Sequence, residues 1–297
     1  MKNLVCLVFL LSCILAPAQI IDNRRGNAFE EEMFFNQEFL WQNKIKTITG
    51  ITSIKRPQRP IEQRPDVCVY KFNSVGLLEE LNKVTSILHL VDSMTIQFKR
   101  NDLGEVELRT ENGSRGFYTK KFIYNKEGLI ERTDFGKSEN TSTTKGVLTA
   151  GQSIVINSES FEYNRLDPLT LRKNCFNNYG LLYSSITYKK NDLGYMTSET
   201  EETVMSGRST TKTYTYNEKG WISAIVFDNG SLENQPKHIF TYDPLGNLLK
   251  LEKFKGATLV QEIEILYTPT MLIEAVLDHD LQSRDILITK YSYEYHP

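Results

Sequence analysis

Residues 214–222 read Tyr214-Thr215-Tyr216-Asn217-Glu218-Lys219-Gly220-Trp221-Ile222, and the phrase keeps returning. It recurs as Tyr70-Lys-Phe72-Asn73-Ser-Val-Gly76-Leu-Leu78, Phe122-Ile-Tyr124-Asn125-Lys-Glu-Gly128-Leu-Ile130 and Phe240-Thr-Tyr242-Asp243-Pro-Leu-Gly246-Asn-Leu248. Aromatics at i and i+2 share one face of a strand, with Thr, Lys or Ile between them on the other. Asn or Asp then starts a turn and Gly supplies its positive φ. Two residues past the glycine the chain is apolar again, so each phrase spells a β-hairpin with one greasy face.

Further copies read as stretched (Phe98 to Gly104, Tyr188 to Gly194) or degenerate (Phe161 to Asp167, Ile265 to Met271). The turn positions 76, 104, 128, 167, 194, 220, 246 and 271 are then 24–28 residues apart, except for one interval of 39. The long interval holds the Ser/Thr-rich stretch 137–146, read as a loop insertion. Return turns fall between them, at 111–114, 177–180, 206–207, 228–231, 255–256 and 278–280. A repeat of about 26 residues predicts strands within the usual length range. The fold class is all-β: a long antiparallel up-and-down meander of about 16 strands. So many twisted strands with one apolar face must curl into a shell or barrel-like sheet. Residues 66–297 form this repeat domain. Residues 19–65 precede it as a cap, with a short helix or irregular segment at 28–41, an opening strand from Lys44 and a Pro-rich loop at 56–65.

Residues 1–18 read as a signal peptide. Lys2 leads, Leu4 to Leu15 are apolar, and Ala16-Pro17-Ala18 is a small-residue cleavage site. The competing reading is a lipoprotein signal acylated at Cys13. Export to the periplasm, cell surface or medium is therefore expected. Removing residues 1–18 leaves 34 basic against 37 acidic residues. That balance gives no electrostatic footprint for nucleic acid and no polybasic patch for a membrane surface. No later segment is long and apolar enough for a transmembrane helix. Cys68 and Cys175 remain; they are expected unpaired, on opposite faces and near opposite ends of the sheet.

The phrase resembles the tyrosine-aspartate (YD) repeats of the Rhs family of bacterial surface and toxin-carrier proteins, with Phe240 to Leu248 the nearest copy. The resemblance covers residues 66–295 and implies hairpins wound into a hollow β-shell. It departs from the family in lacking the arginine before the tyrosine pair, an Arg after the glycine, and a toxin domain after the last repeat.

Chemistry is sparse. His89, His238, His279 and His296 have no metal-ligand spacing, and Asp278-His279-Asp280 reads as a turn. No nucleophile elbow or phosphate loop occurs. No metal, cofactor or catalytic residue is implied. Glu79-Glu80, Glu131 and Glu201-Glu202 read as a solvated face, with a glycosidase pair as the alternative. Tyr195 and Trp221 differ from the other aromatics. Each follows a turn glycine, so each should point away from the Met196/Ile222 face, one repeat or about 9.6 Å apart. They are the candidate ligand-binding residues, as an outer platform for sugars. The expected function is a non-catalytic exported scaffold that binds glycan or another envelope protein. A cell-wall or polysaccharide hydrolase is the first alternative. The second, an outer-membrane barrel, is opposed by size: two strong apolar positions per strand span about 13 Å, against about 25 Å for a lipid band.

Overall fold

The computed structural model describes residues 19–30, 32, 34–87, 90–113, 116–142, 150–231 and 234–297. The proposed leader with Cys13, together with His89, Ser114 and residues 143–146 of the expected loop, lie outside the described residues. A short helix α1 (Gln37–Gln42) precedes eighteen strands. These are β1 (Ile45–Lys55), β2 (Ile61–Phe72), β3 (Leu78–Ile87), β4 (Leu90–Arg100), β5 (Val106–Gly113), β6 (Gly116–Tyr124), β7 (Ile130–Asn140), β8 (Ala150–Asp167) and β9 (Thr170–Phe176). The remainder are β10 (Leu182–Lys190), β11 (Met196–Thr203), β12 (Ser209–Tyr216), β13 (Ile222–Asp228), β14 (Pro236–Tyr242), β15 (Leu248–Lys255), β16 (Thr258–Tyr267), β17 (Ile273–Asp280) and β18 (Asp285–Tyr295).

Every strand pairs antiparallel with its neighbours in sequence, and β1 also pairs with β18, from Ile45↔Tyr295 to Lys55↔Ile286. The sheet is a closed barrel. Eight hairpins account for the sixteen expected strands. The other two are the opening strand and the final half-repeat, which meet and remove the exposed edges that an open sheet would carry.

The phrase works as a turn for a specific reason. In Asn217–Trp221 the Asn217 side-chain oxygen accepts from the amides of Lys219 and Trp221, both at 3.0 Å. Asp243 does the same for Leu245 and Asn247, both at 2.8 Å. Gly220 and Gly246 hold φ of +79° and +94°, as a type I turn followed by a left-handed residue requires. Met271 takes that position in the degenerate copy at φ +63°. A residue is then skipped in the ladder just after the turn, as between Thr215↔Ala224 and Tyr216↔Ile222, so these hairpins carry a bulge; the degenerate β8–β9 copy skips Leu166 before its turn instead.

The second aromatic of the phrase ties one repeat to the one before it. The hydroxyls of Tyr124, Tyr216, Tyr267 and Tyr293 donate at 2.8 Å to the carbonyls of Val106, Met196, Leu248 and Ile273. Each acceptor is the apolar residue two past the preceding turn glycine, or its counterpart past Met271. The copies read as stretched are not stretched: Arg100↔Val106 is in register with Tyr124↔Ile130. Arg100 replaces the tyrosine and reaches the equivalent Leu78 carbonyl at 3.4 Å.

Other expectations shift. Only the 56–60 portion of the Pro-rich loop turns; β2 has begun by Ile61, and Pro65 sits where the β1–β2 register slips between Ile51 and Ser53. A bulge spares proline the missing donor. Residues 137–140, expected in a loop, extend β7 and pair with β8. Of residues 28–41 only the end is helical, capped by the Asn36 side chain, which accepts from the Glu38 amide at 3.0 Å.

The N-terminal segment enters the barrel. Ile20, Ile21, Ala28, Phe34, Phe39 and Leu40 are buried with inward residues of β1–β4 and β13–β17, among them Ile48, Leu81, Ile96, Phe240, Leu251 and Ile273. Glu30 reaches Lys253 at 3.1 Å and His238 at 3.6 Å, and Glu32 reaches Arg109 at 2.8 Å. No described residue of β6–β11 joins this apolar core. One half of the barrel is filled and the other is open.

Candidate functional site

The open half holds a cavity of about 1790 Å³, between the N-terminal segment and the wall from β8 to β14, toward the Asn-x-x-Gly turns. Small-molecule pockets run roughly 300–1,000 Å³, so this volume suits an extended ligand. Alternation along strands aims Tyr163, Lys173, Tyr188, Glu199, Lys212, Tyr214, Tyr216 and Tyr242 into it. Burial pushes the Tyr214 and Tyr242 hydroxyls up to about 12. Burial and, secondly, the nearby Glu199 carboxylate also raise Tyr188. These phenols therefore stay neutral and available as hydrogen-bonding groups at ordinary pH. The Tyr242 hydroxyl is already met by the Asn23 amide at 2.8 Å.

Tyr195 and Trp221 both line this cavity. The expected outer platform is corrected: these rings stand on the inner rim. Alternation does not apply to them, because each still belongs to the turn, where its carbonyl accepts from the Asn amide at 2.9 Å before the strand starts. Each leans over the next repeat instead. Tyr195 covers Gly220 and lies tilted against Tyr216 with centroids 4.9 Å apart; Trp221 covers Gly246 and lies 5.4 Å from Tyr242. The Lys219 ammonium sits 4.9 Å from the Trp221 ring centre. The turn glycines thus do two jobs, since any Cβ at Gly220 or Gly246 would meet the ring above it.

Sequence reasoning located the two rings but missed the tyrosines and charges opposite them. The aromatic stripe at i and i+2 was the available signal. That signal does not separate core from lumen, because the sequence does not reveal that the filling segment occupies only half the interior.

The other candidates do not converge. Alternation sends Asp278 and Asp280 inward and His279 outward along β17, and Asp278 accepts from Gln261 at 2.7 Å. Glu80 bonds Lys71 at 2.6 Å on the outer wall, and Glu79 and Glu131 are the skipped bulge residues. Glu201 faces inward and accepts from Ser184 at 3.0 Å, while Glu202 faces out. Cys68 and Cys175 are both free. Both point inward, and it is their positions on β2 and β9, not opposite faces, that separate them.

No family model and no curated protein matches the chain. Among solved structures it is similar to a porin-like protein from Bacteroides uniformis, at 13% identity and a TM-score of 0.41 over 85% of this chain and 97% of that one. It is also similar to a LolA superfamily protein from Nitrosomonas europaea, at 9% identity and a TM-score of 0.25 over 86% of this chain and 87% of that one. Both overlays are loose.

Proposed function

We propose that this chain is an exported, non-catalytic β-barrel, built from degenerate YD-type hairpins, that holds a glycan in its open half at the cell envelope. The observation that supports this most directly is the ring pair Tyr195 and Trp221 on the inner rim, above a lumen wall that alternates tyrosines with charged groups. Aromatic faces stack on sugar rings, while Lys, Glu and Tyr hydroxyls supply the hydrogen bonds a polyol needs. The outer wall favours an aqueous surrounding over lipid. Lys71, Glu80, Asn82 and Gln97 form one bonded cluster there, and Lys250 with Glu262, 2.9 Å apart, forms another. A lipid-facing wall would have to hold such charges in hydrocarbon, at several kcal/mol each near the midplane.

The test is tryptophan fluorescence of a Trp41→Phe variant, because Trp41 also borders the cavity and its removal isolates Trp221. Tetramers derived from cellulose, starch and galacturonan are the probes. Saturable change with at least one of them is the expected result, and calorimetric titration of Trp221→Leu, which has no reporter left, should show that binding lost while the circular dichroism of the barrel holds. No response to any of the three would remove the glycan reading. Turnover of a tetramer, abolished by Glu199→Gln or Glu201→Gln, would overturn the non-catalytic part.

A further inference from the structure

We infer that the ligand is acidic: the cavity is built for a saccharide carrying carboxylate groups. This rests on the glycan reading above and adds the charge of the sugar.

The acids lining the cavity are already engaged: Glu38 accepts from the Gln42 side-chain amide at 3.1 Å, and the other three are held by cations. Glu199 is held by Lys212 at 3.0 Å, Asp22 by Arg24 at 2.5 Å and Glu30 by Lys253 at 3.1 Å. Three cations on the strands beside Glu199 are not. Arg165, Lys173 and Lys190 come from the adjacent strands β8, β9 and β10, and all three line the cavity. The ladder fixes them as neighbours: Arg165 is paired with Leu171 and Tyr163 with Lys173, and the Lys190 amide bonds the Leu169 carbonyl at 2.9 Å. Among the described residues none of the three has a carboxylate within ion-pair distance. The Arg165 guanidinium touches only the Pro168 carbonyl, at 3.4 Å, and the Lys173 ammonium rests 3.8 Å from the Phe161 ring centre.

The chain as a whole carries a formal charge of −2, so this positive wall is a local surplus and not a reflection of composition. A concave site lined by one sign of charge focuses the field and gathers counter-ions. Between the cations stand the faces of Tyr163 and Tyr188, and the Tyr163 ring is fixed by its hydroxyl donating to the Ile130 carbonyl at 2.9 Å. Alternating cations and rings match a chain of sugars that bears a carboxylate on each unit. An anionic lipid fits worse, because an acyl chain needs apolar walls and β6–β11 contribute no described residue to the apolar core.

The full chain is titrated calorimetrically with tetragalacturonic acid, with its tetramethyl ester, and with phosphatidylglycerol vesicles. The acid and the ester share one sugar backbone and differ in charge and in a methyl group on each carboxyl, and the ionic-strength dependence isolates the charge. Binding of the acid about tenfold tighter than the ester is expected, with the advantage shrinking as ionic strength rises from about 0.05 to about 0.5 M. In Arg165→Gln/Lys190→Gln the preference should vanish while ester affinity and melting temperature hold. Both side chains are exposed to the lumen, so the fold does not depend on them. Equal affinity for acid and ester would overturn the charge assignment and leave the glycan reading standing. Binding of neither saccharide would overturn the charge assignment, and the glycan reading would fall with it only if the cellulose and starch tetramers also fail to bind. Binding to vesicles in preference to the acid would identify an anionic lipid instead. A preference that survives in the double variant would overturn the assignment of these residues.

Discussion

The two halves of the barrel share one hairpin phrase and one hydrogen-bond pattern, yet only one is a core. From β13 through β18 and on to β4, inward positions carry Ile, Leu and Phe against the N-terminal segment, and Leu81, Leu248, Leu251 and Ile273 are at most 1% exposed. From β6 to β11 the same positions carry Lys120, Lys173, Glu199 and Glu201 beside tyrosines, facing open space. A sheet's periodicity therefore sets which residues face in, while what fills the interior decides whether those residues hold the fold or meet a ligand.

The sharpest way to break that comparison is truncation in each half. Leu251→Ala should lower stability by about 3 kcal/mol, because it leaves a void in a packed region. Ile186→Ala, inward on β10 but only half-buried, should cost about 1 kcal/mol. Urea denaturation followed by far-UV circular dichroism measures both, and equal losses would erase the distinction between core and lumen.

The turn glycines give the next contrast. Gly246→Ala faces both the left-handed φ and the Trp221 ring, and should cost about 2 kcal/mol. Gly180→Ala has φ of +73° and nothing within 4 Å of the new methyl, so about 1 kcal/mol is expected. A thermal melt that ranks them the other way would show that the ring does not rest on the turn.

Removing one tie between repeats is a smaller change. Tyr267→Phe deletes the hydroxyl that satisfies the Leu248 carbonyl, beside a residue 1% exposed, and should cost about 1 kcal/mol in the same assay. Tyr163→Phe, in the open half where water can replace the bond, should cost less.

The smallest effect is a pH dependence. Burial holds His238 below its ordinary 6.5, against the pull of Glu30 and with the push of Lys253. The folded form therefore keeps it neutral while the unfolded chain protonates, so stability declines as pH falls below about 6.5. The contact is with the filled half, where Phe227 and Phe240 flank the ring. His238→Gln should flatten the melting-temperature profile between about pH 6.5 and 5, above the range where carboxylates titrate. An unchanged slope would assign the decline to other groups.

The fold was legible because each level of the phrase agreed: the i, i+2 aromatics, the Asn/Asp oxygen and the glycine all specify one hairpin. Strand ends were less legible where a substitution kept the geometry, as Arg100 does for a tyrosine and Met271 for a glycine. Residues 137–140 are polar on composition yet still find partners along β8, because pairing continues past the repeat. The site was half visible. Tyr195 and Trp221 stood out by position, but their inward lean comes from a turn and bulge that cancel the alternation used to orient them. The cations Arg165, Lys173 and Lys190 had no local signature, since their proximity arises only when three strands stand side by side.

The join between Ile45 and Tyr295 has a consequence for the timing of assembly. Neighbouring hairpins can form as soon as their own strands are free to fold, but β1 has to wait for the last strand before its second edge is covered. Until then both outermost strands present unpaired amides and carbonyls to any other chain nearby. Closure also spans nearly the whole polypeptide, which makes it a slow, late event with a large loop entropy to overcome. A chain shortened by residues 285–297 would lose far more than one strand: it would remain an open ribbon, with two sticky margins and no wall to shut behind its own N-terminal filling.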